Sequence, residues 1–403
     1  MHRIFSVAQV ALLLCAVLGH CNPLRIQETW SHAAQKFYGQ RVDPVIASSS
    51  RASADGGVVA MVYVDAIHGY NLTNGTLLWR LPVDASTDST PWSCATTFDG
   101  VAFICRSFWA RWWVRLDART GRPEWHTDWG SGASNTIPFR AGPYFLYTTR
   151  TGDGFHPTVR LIAYSQQTGQ KLYDVSHASQ LFDYKAAYDA ASGTIVLGCG
   201  VGMYSRYPSY CGVRAADGAL LWVYNASRAI YNGTAVQLGA PVTLGDGRVF
   251  GRVVEYVNPN GYVRGHFVLL DAASGKVLRV TVPPLDLYMS TLAFGAGLLF
   301  YQSAAGDSNV VVAIDAATGD VAWQQSLAAC GGGCSDFAYA DLRLFCGGCV
   351  VAWSQGSTRT VTPFNYNVDV VATNPTGTRL AIVNPPNSPT GTPQLIGFNV
   401  TQP

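Results

Sequence analysis

The chain has 403 residues, of which 48% are apolar, 12% aromatic and only 13% charged, with a formal net charge of +2. That is too apolar for a disordered chain, and the near-neutral charge leaves no electrostatic footprint for nucleic acid or an acidic membrane. Glu occurs only at Glu28, Glu124 and Glu255 against 41 Gly, a balance that favours strands and tight turns over long helices.

At the N-terminus, Arg3 precedes an apolar run from Val7 to Leu18, followed by small residues. This is the pattern of a secretory signal peptide over residues 1–21, leaving 22–403 as one mature domain. The run is short for a membrane span, and no later stretch is apolar for long enough to be one. The expected destination is outside the cell, with the endoplasmic-reticulum lumen as the alternative. Asn-x-Ser/Thr sequons at Asn71, Asn74, Asn225, Asn232 and Asn399 suit that compartment.

From Asn71 onward one unit recurs. "YNLTNGTLLW" places Gly75 before Trp79, "RLDARTGRPEW" places Gly121 before Trp125, and "AYSQQTGQKLY" places Gly169 before Tyr173. "VRAADGALLW" follows with Gly218 and Trp222, "LLDAASGKVLR" with Gly275 and Arg279, and "AIDAATGDVAW" with Gly319 and Trp323; a worn copy centres on Gly356. The glycine supplies a positive φ without steric cost. An Asp or Asn four residues earlier (Asn71, Asp117, Asp271, Asp315) can hold the turn through its side chain. The flanking residues are expected to alternate in polarity as strand faces do, and the aromatic offers a flat apolar surface to the next unit.

The glycines lie about 37 to 57 residues apart, the length of one four-stranded propeller blade. Residues 364–400 supply three strands without a fourth, and residues 24–30 supply one strand, with Trp30, lacking the other three. The expectation is therefore an all-β propeller of eight blades, seven being the alternative, closed by the N-terminal strand. A competing reading makes residues 23–38 an amphipathic helix with Ile26, Trp30 and Phe37 on one face.

"IDAATGDVAW" and its relatives resemble the quinoprotein (PQQ-like) repeat of the alcohol-dehydrogenase-like, tryptophan-docking β-propeller family. The resemblance covers nearly the whole mature chain and implies the fold. Members include quinone-dependent dehydrogenases, an outer-membrane assembly scaffold and lumenal domains. The resemblance implies that a dehydrogenase holds its quinone under a disulfide between adjacent cysteines, over a Trp floor, with calcium on Glu, Asn and Asp. No Cys-Cys dipeptide occurs here. Only Glu255 has Asn residues close behind it, Asn258 and Asn260, and that segment reads as a polar hairpin tip. No quinone-binding, metal-binding or catalytic residue is assigned, and no H-E-x-x-H, G-x-S-x-G or P-loop motif is present.

Eight cysteines remain after the leader and Cys21, an even number suited to disulfides. Cys94 and Cys105 are symmetric about the Asp99-Gly100 turn, which sets them opposite each other. Cys199 and Cys211 flank a Gly-rich loop. For Cys330, Cys334, Cys346 and Cys349 the reading is Cys334–Cys346 inside Cys330–Cys349, the alternatives being local pairs, a zinc site or a redox motif. The cluster Phe108, Trp109, Trp112 and Trp113 reads as packing between blades, with a sugar-stacking surface as the rival.

The function expected is a non-catalytic, monomeric propeller that presents its loops to a protein or glycan partner, with no nucleic acid. The alternative is a PQQ-dependent oxidoreductase.

Overall fold

A computed structural model describes the strands and most tight turns between residues 25 and 401. Residues 1–24 and 402–403 lie outside the described residues, as do connecting segments such as 34–44, 83–91, 129–138, 201–208, 227–235, 284–291, 329–336 and 385–393.

The described strands form eight antiparallel sheets. The first takes Val45–Ala47, Val58–Val62, Ala66–Asn71 and Leu77–Pro82; the second Trp92–Thr96, Ala102–Ser107, Trp112–Asp117 and Pro123–Asp128. The third takes Phe139–Ala141, Tyr144–Thr151, Thr158–Ser165 and Lys171–Ala178, and the fourth Leu181–Asp189, Thr194–Gly200, Ser209–Arg214 and Leu220–Asn225. In the fifth, Val236–Leu238 and Val242–Thr243 both pair with Arg248–Tyr256, followed by Val263–Asp271 and Val277–Thr281. The sixth runs from Ala293–Gly295 through Leu298–Ser303 and Val310–Asp315 to Val321–Ser326, and the seventh from Phe337–Ala340 through Arg343–Cys346 and Cys349–Trp353 to Arg359–Pro363.

The eighth sheet joins the two ends of the chain. Val370–Thr373, Arg379–Asn384 and Gln394–Thr401 are completed by Arg25–Ala33. Arg25 lies opposite Thr401 and Ala33 opposite Gln394, with one irregularity between Glu28 and Trp30. The closing strand is therefore extended, and the helical alternative for this segment does not hold over Arg25–Ala33. Trp30 lies opposite Gly397, as Trp79 lies opposite Gly69 and Trp222 opposite Gly212.

The fold is a β-propeller. First strands touch first strands of neighbouring sheets: Phe139–Ala141 meets Leu181–Asp189, Ala293–Gly295 meets Phe337–Ala340, and Phe337–Ala340 meets Val370–Thr373. Val370–Thr373 then meets Val45–Ala47, which returns the circuit to the first sheet. Among the described residues, every interface from the first sheet through to the seventh has its own apolar core. Trp79, Phe103 and Leu116 fill the first, Tyr173, Ile195 and Leu197 the third, and Trp222, Val249 and Val268 the fourth.

One expectation about patterning needs correction. The third strands do not alternate: Val311, Val312, Ala313 and Ile314 are all buried, as are Ser209 to Val213. A strand in the middle of a sheet packs on a neighbouring sheet through each face, so both faces are apolar. Alternation is clear on an outer strand, where Trp222 and Tyr224 are buried and Val223 is exposed.

The repeated turn explains itself chemically. Gly121 sits at φ 65° and its N–H donates to the Asp117 carbonyl at 2.9 Å. The Asp117 carboxylate accepts from the Thr120 N–H at 2.8 Å and hydroxyl at 2.7 Å. Asp271 does the same for Ser274, and the Asp315 carboxylate accepts from the Ala317 and Thr318 N–H groups. In the first six sheets the register then slips just before the docking residue, leaving Leu78, Glu124, Leu172, Leu221, Leu278 and Ala322 as the extra residue. Such a bulge bends and twists the strand, re-aiming the next side chain.

Candidate functional site

The side chains that the repeat brings together meet across the interfaces between sheets. Trp79 of the first sheet occupies the space where a Cβ on Gly121 of the second would stand, 2.4 Å from the indole Cδ2. Its indole N–H donates to the Ala118 carbonyl at 2.8 Å. Trp125 repeats this on Gly169 and the Gln167 carbonyl at 3.0 Å, and Trp222 on Gly275 and the Ala272 carbonyl at 2.9 Å. Arg279 does the same work without a ring: it lies against Gly319, and its Nη1 donates to the Ala317 carbonyl at 3.0 Å.

Tyr173 covers Gly218 in the same way, but it has no N–H to donate. His177, four residues on, reaches the same turn at a different carbonyl, with Nε2 at 3.1 Å from the oxygen of Gly218 itself. Burial pushes the His177 imidazole below its ordinary pKa, against the pull of that carbonyl. Burial, with the nearby Tyr144 and Asp217, pushes the Tyr173 phenol well above its usual value.

Polar ties that the sequence did not announce lie beside the docking residues. Arg115 is 6% exposed. Its Nε donates to Glu124, its Nη2 to Asp99 at 3.3 Å, and its Nη1 to the Gln166 carbonyl of the third sheet at 3.1 Å. Burial alone would raise the Asp99 carboxyl. The Thr97 hydroxyl, the Val101 amide and the Arg115 charge outweigh it and hold Asp99 below the usual carboxylate range. Asp189, fully buried, accepts from Ser192 in its own turn and from the Gly247 N–H of the fifth sheet at 3.1 Å. The Tyr210 hydroxyl accepts the Arg252 N–H at 2.9 Å and lies 2.9 Å from the Gly239 carbonyl, again joining the fourth sheet to the fifth.

Cys94 and Cys105 face each other across a strand pair and are bonded, as are Cys199 and Cys211. Cys349 is buried and disulfide-bonded. Cys346 lies opposite it in the strand pair, while Cys330 and Cys334 lie outside the described residues. Trp113 is 5% exposed and packs on Phe145 of the third sheet at 4.7 Å, so it belongs to the core and offers no sugar platform. Phe108 and Trp109 lie outside the described residues. Among the sequons, Asn74 is exposed on its turn, Asn225 ends an outer strand, Asn399 lies within Gln394–Thr401, and Asn232 falls outside the described residues.

The quinone constellation implied by the fold does not assemble among the described residues. Cys94–Cys105 and Cys199–Cys211 join cysteines 11 and 12 residues apart, not neighbours in sequence. Glu124 is held by Arg115, Glu28 lies in the closing strand, and Glu255 stands opposite Val236 and Arg264 in the fifth sheet. Asn258 and Asn260 lie outside the described residues. Among the described residues no group of three or more His, Cys, Asp or Glu is placed to hold a metal ion, and no helix is long and apolar enough to cross a membrane.

A family model described as "Outer membrane protein assembly factor BamB" matches residues 110–325. Comparison with curated proteins finds no match. Among solved structures, the quinohemoprotein alcohol dehydrogenase ADHIIG of Pseudomonas putida HK5 is 12% identical at a TM-score of 0.55, covering 94% of this chain and 76% of its own. The quinohemoprotein alcohol dehydrogenase of Comamonas testosteroni is 11% identical at 0.56, covering 93% and 76%. A Dos1 propeller is 10% identical at 0.57, covering 93% and 95%. At these identities the likeness is one of fold.

Proposed function

The chain belongs to the PQQ-repeat family of the outer membrane protein assembly factor BamB, and from that premise we propose a secreted, N-glycosylated, non-catalytic propeller that presents its loops to a protein or glycan partner. Each of the eight sheets serves as one blade. The observation that carries this reading is the use made of buried charge. Arg115 and Asp189 bond across to the neighbouring sheet, so their charge is spent on holding the disc together. A catalytic acid or base needs an open face towards substrate. The disulfides fit an oxidising compartment. The likeness to two alcohol dehydrogenases supports the shared scaffold, and fold alone does not carry their chemistry over.

Native mass spectrometry on protein secreted from a eukaryotic host, after glycan removal, tests the reading against the PQQ-dependent alternative. Equal native and denatured, unreduced masses are expected. A mass excess confined to the native state would mean a bound cofactor or metal and would overturn the non-catalytic reading.

A further inference from the structure

The outermost strand of each sheet has one unpaired edge, a template on which another strand can add unless charge or proline blunts it. Several outer strands here carry such a guard: Arg80 and Pro82 in the first sheet, Pro123, Glu124 and Asp128 in the second, Lys171 and Asp174 in the third, Arg359 and Pro363 in the seventh, whereas the one charge of the fifth, Arg279, is turned onto the Ala317 carbonyl of the next sheet. Val321–Ser326 is uncharged but carries Gln324, Gln325 and Ser326. Leu220–Asn225, "LLWVYN", has neither charge nor proline. It exposes Leu220 and Leu221 at 38% each and Val223 at 46%. No described strand pairs with its outer side.

That strand ends in a sequon, Asn225-Ala226-Ser227. From Trp222 to Asn225 the pairing is regular, so alternation sets Val223 and Asn225 on the face opposite the buried Trp222 and Tyr224. Val223 lies about 7 Å along the strand from Asn225 and Leu221 about 13 Å. Asn225 is half-buried, and the first sugars of a glycan on it would lie over Val223; Leu221, the bulged residue, stands outside this alternation. The geometry points to Asn225 as an N-glycosylation site whose glycan guards the bare edge of the fourth sheet, doing there what charge and proline do elsewhere. The inference rests on the secretory reading above. An oligosaccharide is bulky and strongly hydrated, so it covers the exposed valine and obstructs an incoming strand.

The test uses the full chain with its own leader, secreted from a eukaryotic host. Glycopeptide mapping reads occupancy at each sequon, and sedimentation velocity with an apolar-surface dye reads the edge. Occupied Asn225 and a monomer are expected. S227A removes the sequon and leaves every residue of Leu220–Asn225 unchanged, and roughly a twofold or greater gain in dye fluorescence, with self-association, is expected. Adding V223K to S227A restores a guard by charge and returns both signals towards the parent, which a general folding defect would not do. Unoccupied Asn225 alongside occupied Asn74 overturns the inference while leaving the secretory reading intact. An S227A protein that remains monomeric with unchanged dye binding overturns the guarding role. If the chain stays inside the cell with no sequon occupied, the secretory reading itself fails and takes the glycan with it.

Discussion

Trp79 and Gly121 come from adjacent sheets and share one space: the indole stands where any side chain at 121 would have to go. The glycine thus meets two demands at once. Its backbone needs a positive φ, and its missing Cβ makes the seat for the ring.

The two demands can be separated by substitution. Gly193 has a φ of 64° with nothing within 4 Å of a Cβ built there. Gly193→Ala should cost only the backbone term, about 1 kcal/mol. Gly121→Ala adds displacement of Trp79 and should cost about 3 kcal/mol in all. Equal losses in denaturant melts of the two variants would show that the seat contributes nothing.

Arg115 should be hard to replace. Arg115→Met keeps the apolar stem but leaves the Gln166 carbonyl and Glu124 without their donor. Its carboxylate partners are half exposed, which discounts the ion pairs, so a loss of about 2 kcal/mol is expected. Arg115→Lys should recover little of it, because an ammonium cannot serve three partners in one plane. Chemical denaturation of both variants checks this.

The cross-strand bridges close loops with sequence separations of 11 and 12. Replacing either pair by alanines should remove about 2–3 kcal/mol by the loop-entropy account. Cys105 and Cys211 are fully buried, so the loss should exceed that of reduction alone by the cavity left behind. Melting the reduced protein beside each double variant separates the two contributions.

His177 predicts a pH dependence. Its folded pKa lies below the ordinary value because burial disfavours the cation. The unfolded chain therefore binds more protons as pH falls. The contribution is fully present above the unfolded pKa of about 6.5 and is lost as pH drops through the lower folded value. The melting temperature of the parent should fall more steeply between pH 7 and pH 5 than that of His177→Gln. Parallel slopes would remove His177 from the account.

Ring closure can be rerouted. Arg25 faces Thr401 in an antiparallel pair, so the closing strand can follow the last one through a two-residue turn. A permuted chain beginning near Val45, with residues 25–33 joined after Thr401 by Asn-Gly, should fold with a circular-dichroism spectrum like the parent's. Deleting 25–33 outright should leave an open, aggregation-prone edge. A permuted chain that does not fold would mean that this pairing is not what closes the ring.

Much of this architecture is readable in the chain because each repeat is local. Gly121, Asp117 and Trp125 lie within nine positions, and the turn they make is settled by their own backbone and side-chain bonds. The closing strand was legible by completeness, since three strands at one end lacked the one found at the other. The bulge before each docking residue was not legible, because Leu78 or Leu221 looks like any strand leucine until its partner strand skips it. Trp113 was ambiguous, as two adjacent tryptophans say nothing about which one faces a neighbour.

The sequence by itself determined the turn, the repeat, the strand-rich class and the complementarity of the two ends, all of which depend on residues near one another or on simple counting. Only the tertiary structure decided that Arg279 stands in for a tryptophan, that His177 reaches the Gly218 carbonyl beside Tyr173, and that Arg115 and Asp189 bind one sheet to the next. Those roles are set by partners about 40 to 60 positions away, where a donor and a carbonyl meet only once the sheets have stacked.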